Sequence, residues 1–450
     1  MKNNRSTINY LVALVAGSLL LLIPALYNHY PLVDPDAGTY IASGFKLETP
    51  MDRPITYGLL VRLFSLNGLS LWGVVVAQAL IVSALIFSIV RAVKPVAYAK
   101  YGFITVLFLS LYTSLPWLVG MIHPDIFTSV ACMCIVLLLL PPVSKLGRVC
   151  TWLLFFVAIA VHMSHPILFV GVIVCLFLLK KIYALPTAYK KLRTNLIVIA
   201  LLSISAIAVM GSALSKSKHV FLTGTLLEKG VLQVYLNDNC GTKDYKLCAY
   251  KDQLPKTSDE FVWLSSSPLY KIGDWHGTKQ EFSAIDKDIL TTPKYLGLFL
   301  GASVKQFRQQ ALSFNIGTGT FQFPTGSNVN NQVVAYLPHE VERFNSATQN
   351  IEDLPAKLHL INMIYTTIIA LSVALLLLLI ISRWKNTGTV LRTLVVVGIT
   401  VVILNCADFA TLSVVVGRYG AKMIWMLPFC ALVWVMNLKS EMRKQPSLSH

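Results

Sequence analysis

The stretch from Tyr10 to Leu26 reads YLVALVAGSLLLLIPAL, an apolar run long enough to cross the hydrocarbon core of a bilayer as a helix. No small-residue cleavage pattern precedes the acidic loop that follows, so we interpret the run as a retained anchor and not as a secretory signal. The whole chain has this character, because 55% of its 450 residues are hydrophobic, 13% are charged and the mean hydropathy is +0.64. The continuous runs differ from the alternating pattern of a membrane β-barrel. The predicted fold is an all-α polytopic membrane protein.

The number of membrane crossings follows from counting such runs. We predict about ten transmembrane helices, each long enough for a bilayer. Lys and Arg fall in alternate loops, while of the 21 acidic residues only Glu441 lies on that basic side. Because basic loops stay in the cytoplasm, we expect both termini to be cytoplasmic. The predicted spans are centred near Ala16, Ala79, Phe108, Val136, Ala158, Ile173, Leu201, Ala374, Val401 and Val433.

The net charge of +17 is explained by this topology together with attraction to anionic membrane lipids, and we predict no nucleic-acid partner. A short basic N-terminus without a retention signal favours a bacterial inner (plasma) membrane. The chain has no dinucleotide or P-loop fingerprint, no His-Glu-x-x-His motif and no Cys-x-x-Cys pair. We therefore predict no cofactor.

Composition divides the chain into three parts. Residues 1–214 form a transmembrane core that includes a first outer loop at 29–69, and residues 357–450 form the last spans. Between them, 215–356 is polar and rich in turn formers, and lies between the seventh and eighth spans. Phe261-Val262-Trp263-Leu264 alternates with Gly and Pro breaks, whereas Leu290 to Phe314 has the pattern of an amphipathic helix. We expect a small mixed extramembrane domain, periplasmic or extracellular.

The cysteines divide between this domain and the spans. Of eight cysteines, only Cys240 and Cys248 lie in it, separated by a short loop that contains glycine. An oxidising compartment would let them close a disulfide, and two free thiols are the alternative. The other six lie in or beside the spans and are expected to pack as small apolar residues.

The first outer loop is where we expect the functional site. Asp34-Pro35-Asp36-Ala37-Gly38-Thr39-Tyr40 places two carboxylates beside a membrane, where acidic groups are costly and tend to bind or react. Asp36 also stands where it could simply cap a short helix from Ala37 to Phe45. Asp52-Arg53-Pro54 then precedes a second amphipathic stretch from Ile55 to Phe64, so we predict two short interfacial helices.

These motifs resemble the GT-C superfamily of membrane glycosyltransferases, which includes protein O-mannosyltransferases and the aminoarabinose transferase that acts on lipid A. The likeness rests on the cytoplasmic N-terminus, the acidic stretch from Asp34 to Tyr40 and the segment Asp52-Arg53-Pro54-Ile55-Thr56-Tyr57. It also rests on His123-Pro124-Asp125 and a late Arg418-Tyr419. It covers residues 1 to about 210 and weakly the last three spans, but not the domain that holds Cys240.

The resemblance implies an inverting transfer of sugar from a polyprenyl-phosphate donor to a lipid, glycan or protein acceptor at the outer face. Asp36 is then the general base, with Asp34 as the alternative and Asp125 as a second carboxylate. Arg53 and Arg418, with Tyr40, are expected to bind the donor phosphate. The remaining site candidates are His123, His165 and Tyr57.

A metal is not predicted, although Asp34-Pro35-Asp36 superficially matches the Asp-x-Asp motif of nucleotide-sugar enzymes. His162 and His165 share a helix face, but no third ligand stands at a metal-binding spacing.

Two other functions stay open. An O-antigen polymerase or ligase would carry key arginines in the large loop, which here has only Arg308 and Arg343. A lipid or solute transporter would place charges near mid-membrane.

Overall fold

The computed structural model describes residues 2–141, 144–179, 189–209 and 211–442, and the regular structure within these ranges is helical apart from one isolated bridge. The predicted all-α class is confirmed. The termini that we expect in the cytoplasm, residue 1 and residues 443–450, lie outside the described residues. The α-helices are Lys2–Leu21, Ile23–Tyr27, Ala37–Lys46, Thr56–Phe64, Trp72–Val93, Tyr98–Tyr112, Leu115–Val119, Ile126–Leu139, Lys145–Ala160, Ser164–Leu178, Tyr189–Val209, Gly211–Glu228, Val231–Asn239, Ser258–Trp263, Pro268–Ile272, Asp274–Gly277, Lys279–Thr291, Pro293–Leu312, Asn328–Tyr336, Val341–Asn345, Thr348–Ile351, Leu354–Lys357, His359–Arg383, Thr389–Leu412, Gly417–Ile424 and Met426–Met442.

Membrane character is concentrated in a few long helices. Each of the ten predicted centres lies in a helix, but several of these helices are short. A helix of about 15 residues covers only about 22 Å, less than the roughly 30 Å of hydrocarbon. The count of ten crossings therefore remains a prediction. The four described helices that are long and apolar enough to cross a membrane are Trp72–Val93, His359–Asn386, Thr389–Leu412 and Gly417–Leu438.

The two short helices predicted after the acidic loop are present as Ala37–Lys46 and Thr56–Phe64. They cross at Gly44 and Gly58, where a Cβ on Gly44 would overlap the carbonyl oxygen of Gly58. Glycine at both positions lets the two backbones touch. This close crossing fixes the segment between the helices, which carries Arg53.

Residues 215–356, which we call the insert, are helical in their regular structure, so the expectation of a mixed domain is wrong in that respect. The stretch at Phe261 and Val262 lies in the helix Ser258–Trp263. A capping box begins this helix, since the Thr257 hydroxyl accepts from the Glu260 amide at 3.2 Å and the Glu260 carboxylate accepts from the Thr257 amide at 3.3 Å. Capping and burial of Phe261 and Val262 outweigh their strand propensity.

The insert contributes to three hydrophobic cores, the smallest of which includes its Ile316 and Leu354. Its first half packs around its own cluster, which runs from Val220 to Phe299. Its second half joins the main core of the bundle through Phe323, Val333 and Phe344. Cys240 and Cys248 are joined by a disulfide in the first half, with their Cα atoms 5.5 Å apart. The second half of the insert therefore packs in the same core as Val33 and Ala37 of the acidic loop.

Candidate active site

Two loops that are distant in sequence meet beside the main core. Leu32 and Met121 form a single parallel bridge, in which the Leu32 amide donates to Gly120 at 2.9 Å and the Ile122 amide donates to Leu32 at 2.8 Å. Residues equally far along parallel segments stay side by side. Asp34 and His123 each lie two residues beyond the bridge, so the backbone itself brings the acidic loop to the histidine.

Asp34 is fully buried and anchors the loop. Its Oδ1 accepts hydrogen bonds from the amides of Asp36 and Ala37, both at 3.2 Å, so Asp34 caps the helix Ala37–Lys46. Its Oδ2 accepts a hydrogen bond from Arg418. Asp36 occupies the N-cap position but makes no capping bond with its side chain. The cap that we considered for Asp36 is thus supplied by its neighbour, and the Asp36 carboxylate is left for other contacts.

Asp36 is the most exposed carboxylate of the cluster, with 30% of its side chain accessible against 0% for Asp34 and 2% for Asp125. Its Oδ1 lies 3.0 Å from Nη1 of Arg53, and its Oδ2 lies 3.6 Å from Nη2 of Arg418. One carboxylate therefore faces the surface between two guanidinium groups.

Arg53 is held on three sides. Its Nε donates to Asp52 at 2.8 Å, its Nη1 pairs with Asp36, and its guanidinium lies 5.0 Å from the ring centre of Tyr40. Tyr40 is buried beneath it and meets the ring of Tyr57 edge-on at 4.9 Å. Tyr40 thus supports Arg53 in this structure, and both predicted tyrosines lie at the site.

Tyr57 connects the second short helix to the histidine loop. Its hydroxyl donates to Oε1 of Gln78 at 2.8 Å, and Nε2 of Gln78 donates to the carbonyls of Val119 and Met121 at 2.8 and 3.0 Å. Gln78 lies in the candidate span Trp72–Val93. The candidate span therefore fixes the backbone that precedes His123.

His123 bridges the three acids. Its Nε2 lies 3.4 Å from Oδ2 of both Asp34 and Asp36, and its Nδ1 lies 3.3 Å from Oδ2 of Asp125. Burial disfavours the charged imidazole, but the surrounding carboxylates outweigh burial and raise the pKa of His123 to about 9. His123 is accordingly a cation at neutral pH, which makes it a poor general base.

Burial and the charges around the site shift the pKa values of Asp36 and Asp34 in opposite directions. Burial opposes ionisation of Asp36, but Arg53, His123 and Arg418 outweigh it and hold the pKa of Asp36 well below its usual range. Burial is the largest influence on Asp34 and raises its pKa. At neutral pH the carboxylate of Asp36 is therefore ionised.

Lys422 is a member of the cluster that our sequence reasoning missed. It is fully buried, with Nζ 3.4 Å from Oδ1 of Asp125 and 4.2 Å from the ring centre of Phe409. Arg418 also reaches Asp125, with Nε 3.4 Å from Oδ2. A basic residue four positions after Arg418, on the same face of a helix, was the available signal. Asp125 thus pairs with His123, Arg418 and Lys422.

His165 is not part of this cluster. Its Nδ1 lies 2.8 Å from the carbonyl of Ala158 and its Nε2 lies 2.7 Å from the hydroxyl of Thr128, and its side chain is fully buried. These bonds tie its helix to two neighbouring helices. The geometry favours a structural role for His165, in contrast to our prediction that it belongs to the site.

Asp34, Asp36 and His123 could together hold a metal ion, because one ligand atom from each lies within 4.8 Å of the others. In this arrangement the guanidinium of Arg418 already binds the Asp34 carboxylate. A dication would have to displace that cation, release the proton of His123 and tolerate the neighbouring charge of Arg53. The donor set therefore fits an anion beside the arginines better than a metal, and metal independence remains our prediction.

A glycine-rich turn of the insert covers the buried side of the site. Gly319 has a φ of +83°, and a Cβ there would lie 3.4 Å from Cβ of Asp34 and 3.9 Å from Nη1 of Arg418. A left-handed conformation in contact with two site residues favours glycine. Gln349, also in the insert, holds the acidic loop by exchanging hydrogen bonds with the backbone of Val33 at 3.1 and 2.7 Å.

Comparison with known proteins gave no relative: no family model, no curated protein and no solved structure matches this chain.

Proposed function

We propose that the protein is a membrane glycosyltransferase with a GT-C-like fold, which moves a sugar from a polyprenyl-phosphate donor to a lipid, glycan or protein acceptor. The observation that carries this proposal is the environment of Asp36. An accessible carboxylate between two arginines offers a proton acceptor next to two phosphate-binding groups. Sugar transfer from a lipid phosphate needs a base that activates the acceptor and cations that bind the phosphate, and this arrangement supports both roles.

In the proposed reaction, Asp36 takes the proton from an acceptor hydroxyl as that oxygen attacks the anomeric carbon. The bond between the anomeric carbon and the phosphate oxygen breaks, and the lipid phosphate leaves with the electron pair. Attack from the face opposite the leaving group inverts the configuration. Asp34 is less suited to proton transfer than Asp36, because its carboxylate is buried and already binds Arg418 and two backbone amides.

Arg53 and Arg418 are proposed to stabilise the charge that gathers on the leaving phosphate. A guanidinium can bind phosphate oxygens in a bidentate manner, which a lysine cannot do. In the free protein these two cations depress the pKa of Asp36. A bound phosphate would share their charge and so make Asp36 a stronger base when the donor is in place.

The proposed setting is a bacterial inner membrane, with both termini in the cytoplasm and the site at the outer face. Four described helices are compatible with a membrane protein. Asp125 stands at the N-cap of Ile126–Leu139, and Lys422, in the last turn of Gly417–Ile424, pairs with it, so both buried charges belong to the cluster that includes Arg418 and Asp36. This placement favours chemistry at a surface over the mid-membrane charges expected of a transporter.

The test is transfer of label from a radioactive polyprenyl-phosphate sugar pool in membranes that contain matched amounts of wild type, Asp36→Asn or Arg53→Ala. We expect label to move only with the wild type. Asp238→Asn is the matched control, because Asp238 is an acid of the insert that pairs with Lys294 at the surface. Equal transfer by all variants, or no transfer by the wild type across a broad donor panel, would reject the proposal in favour of a polymerase or transporter.

A further inference from the structure

The helix Pro293–Leu312 in the insert has two different faces. Its inner face buries Tyr295, Phe299 and Gln310. Its outer face leaves four large apolar side chains between 43% and 80% exposed, which is unusual for a helix surrounded by water. These exposed side chains are Leu298, Leu300, Val304 and Leu312.

This helix packs against the candidate membrane span Thr389–Leu412. Beyond the end of that span, Gln310 exchanges two hydrogen bonds with Val416, each at 3.0 Å. Lys229 lies between the two helices, bonded to Gln306 and to the carbonyl of Ser413. The span itself leaves Ile403 and Leu412 exposed. The insert helix and the candidate span that it packs against thus both leave large apolar side chains exposed.

The charges of this helix all have one sign. Its sequence, PKYLGLFLGASVKQFRQQAL, contains no acidic residue, and Lys305 and Arg308 are exposed beside Val304 and Leu312. Exposed apolar residues flanked by basic ones on a single helix are typical of a segment that lies in a bilayer interface with anionic headgroups.

We propose that the outer face of Pro293–Leu312 is immersed in the lipid leaflet on the site's side of the membrane, with Lys305 and Arg308 at the lipid phosphates. The occupant of this apolar face is thus phospholipid, and not a second copy of the chain. Packing against the candidate span and the uniformly basic charge both favour lipid.

The immersed helix has a direct consequence for the site. It ends at Leu312, and the turn that follows reaches Asp34 and Arg418 through Gly319. Gln310 also holds Val416, two residues before Arg418. A helix seated in the leaflet therefore sets the site near headgroup level, independently of which reaction occurs there.

The experiment introduces the photoreactive residue benzoylphenylalanine at Val304, Leu312 or, as a control, Lys287, which is exposed on the neighbouring helix Lys279–Thr291. The full chain is reconstituted in vesicles of equimolar phosphatidylcholine and phosphatidylglycerol and irradiated. Adducts are identified by mass spectrometry, and dimers by gel electrophoresis. We expect several-fold more lipid adducts at Val304 and Leu312 than at Lys287.

The charge component is tested by combining Lys305→Glu and Arg308→Glu with the probe at Val304. Lipid adducts should fall in vesicles with phosphatidylglycerol and change little in phosphatidylcholine alone. Lipid labelling no greater than at Lys287, or cross-linked dimers in place of lipid adducts, would overturn the proposal. The readout is lipid contact, so it stays informative whether or not the protein transfers sugar.

Discussion

Arg418 donates a hydrogen bond from Nη1 to Oδ2 of Asp34, a residue 384 positions earlier in the chain. The acceptor is fully buried, and the donor lies at the start of the last candidate span. This ion pair joins the acidic loop to the far end of the sequence. It also gives the two acids of the loop different roles, because Asp34 is buried in this ion pair whereas Asp36 remains partly accessible to solvent.

Loss of this pair should be costly to stability. Arg418→Ala leaves the buried charge of Asp34 without its guanidinium, for which we expect a loss of about 3 to 5 kcal/mol. Thermal unfolding of the purified protein in detergent measures the effect. The control is Lys357→Ala, which removes an exposed pair with Glu352 and should cost less than about 1 kcal/mol. Similar unfolding temperatures for the two variants would contradict the anchoring role of Asp34.

Arg53 should set the acid limb of the pH–rate profile. Its guanidinium helps to hold the pKa of Asp36 well below the usual range, so the wild type should keep Asp36 ionised down to unusually acidic pH. Arg53→Gln removes that charge but keeps a polar side chain, and the acid limb of its reduced kcat/KM should move to higher pH. Arg62→Gln is the control, because Arg62 bonds Asn67 at the surface of the next helix. A limb that stays in place in Arg53→Gln would argue against Asp36 as the titrating base.

Local patterns were sufficient to predict the two short helices, whereas the roles of the candidate site residues came largely from the resemblance to the GT-C superfamily. Proline breaks and apolar spacing placed the helices that begin near Ala37 and Thr56 within a residue or two. The structure brings Asp34, Asp36 and Arg53 together with His123, Asp125 and Arg418.

Pairing between distant segments could not be predicted, because it depends on tertiary contacts. Asp36 stands at the cap position in sequence, yet Asp34 makes the capping bonds. The spacing of Lys422 from Arg418 places both on one helix face, but the pairing of Lys422 with Asp125 depends on a contact between distant segments. Phe261 and Val262 favour strands by propensity, but the core of the insert buries them as helix.

The Cys240–Cys248 disulfide should stabilise the insert. The bond closes a loop with a sequence separation of 8, and chain-entropy arguments assign such a loop roughly 2 to 3 kcal/mol. Reductant should therefore lower the unfolding midpoint of the wild type but not of the Cys240→Ser, Cys248→Ser double variant. Cys150→Ser, which removes an exposed free thiol, should behave like the wild type. An equal response of the double variant to reductant would place the effect elsewhere.

The crossing at Gly58 should tolerate no side chain. A Cβ there would lie 2.7 Å from the carbonyl oxygen of Tyr40, so Gly58→Ala must push the two short helices apart. Overpacking of this kind costs about 1 to 3 kcal/mol, and it should also reduce transfer because Arg53 lies between the helices. Gly301→Ala is the control, since no atom lies within 4 Å of its Cβ and alanine favours a helix. Unfolding and transfer are measured together, and equal behaviour of both variants would contradict the tight crossing.

His123 should make stability fall as the solution becomes alkaline. Its pKa is raised to about 9 in the folded protein by Asp34 and Asp125, against burial and the opposing charge of Arg418, whereas an unfolded histidine titrates near about 6.5. A group with a raised folded pKa stabilises fully below its unfolded pKa and loses that contribution as pH rises through the folded value. The wild type should therefore lose stability between about pH 6.5 and 9 relative to His123→Gln, which lacks the titrating group.

Other groups also titrate in this window, so the informative quantity is the difference between the unfolding profiles of the wild type and His123→Gln. The control is His276→Gln, which replaces an exposed histidine of the insert. Parallel profiles for the wild type and His123→Gln would mean that His123 is not the cation that holds the three carboxylates together.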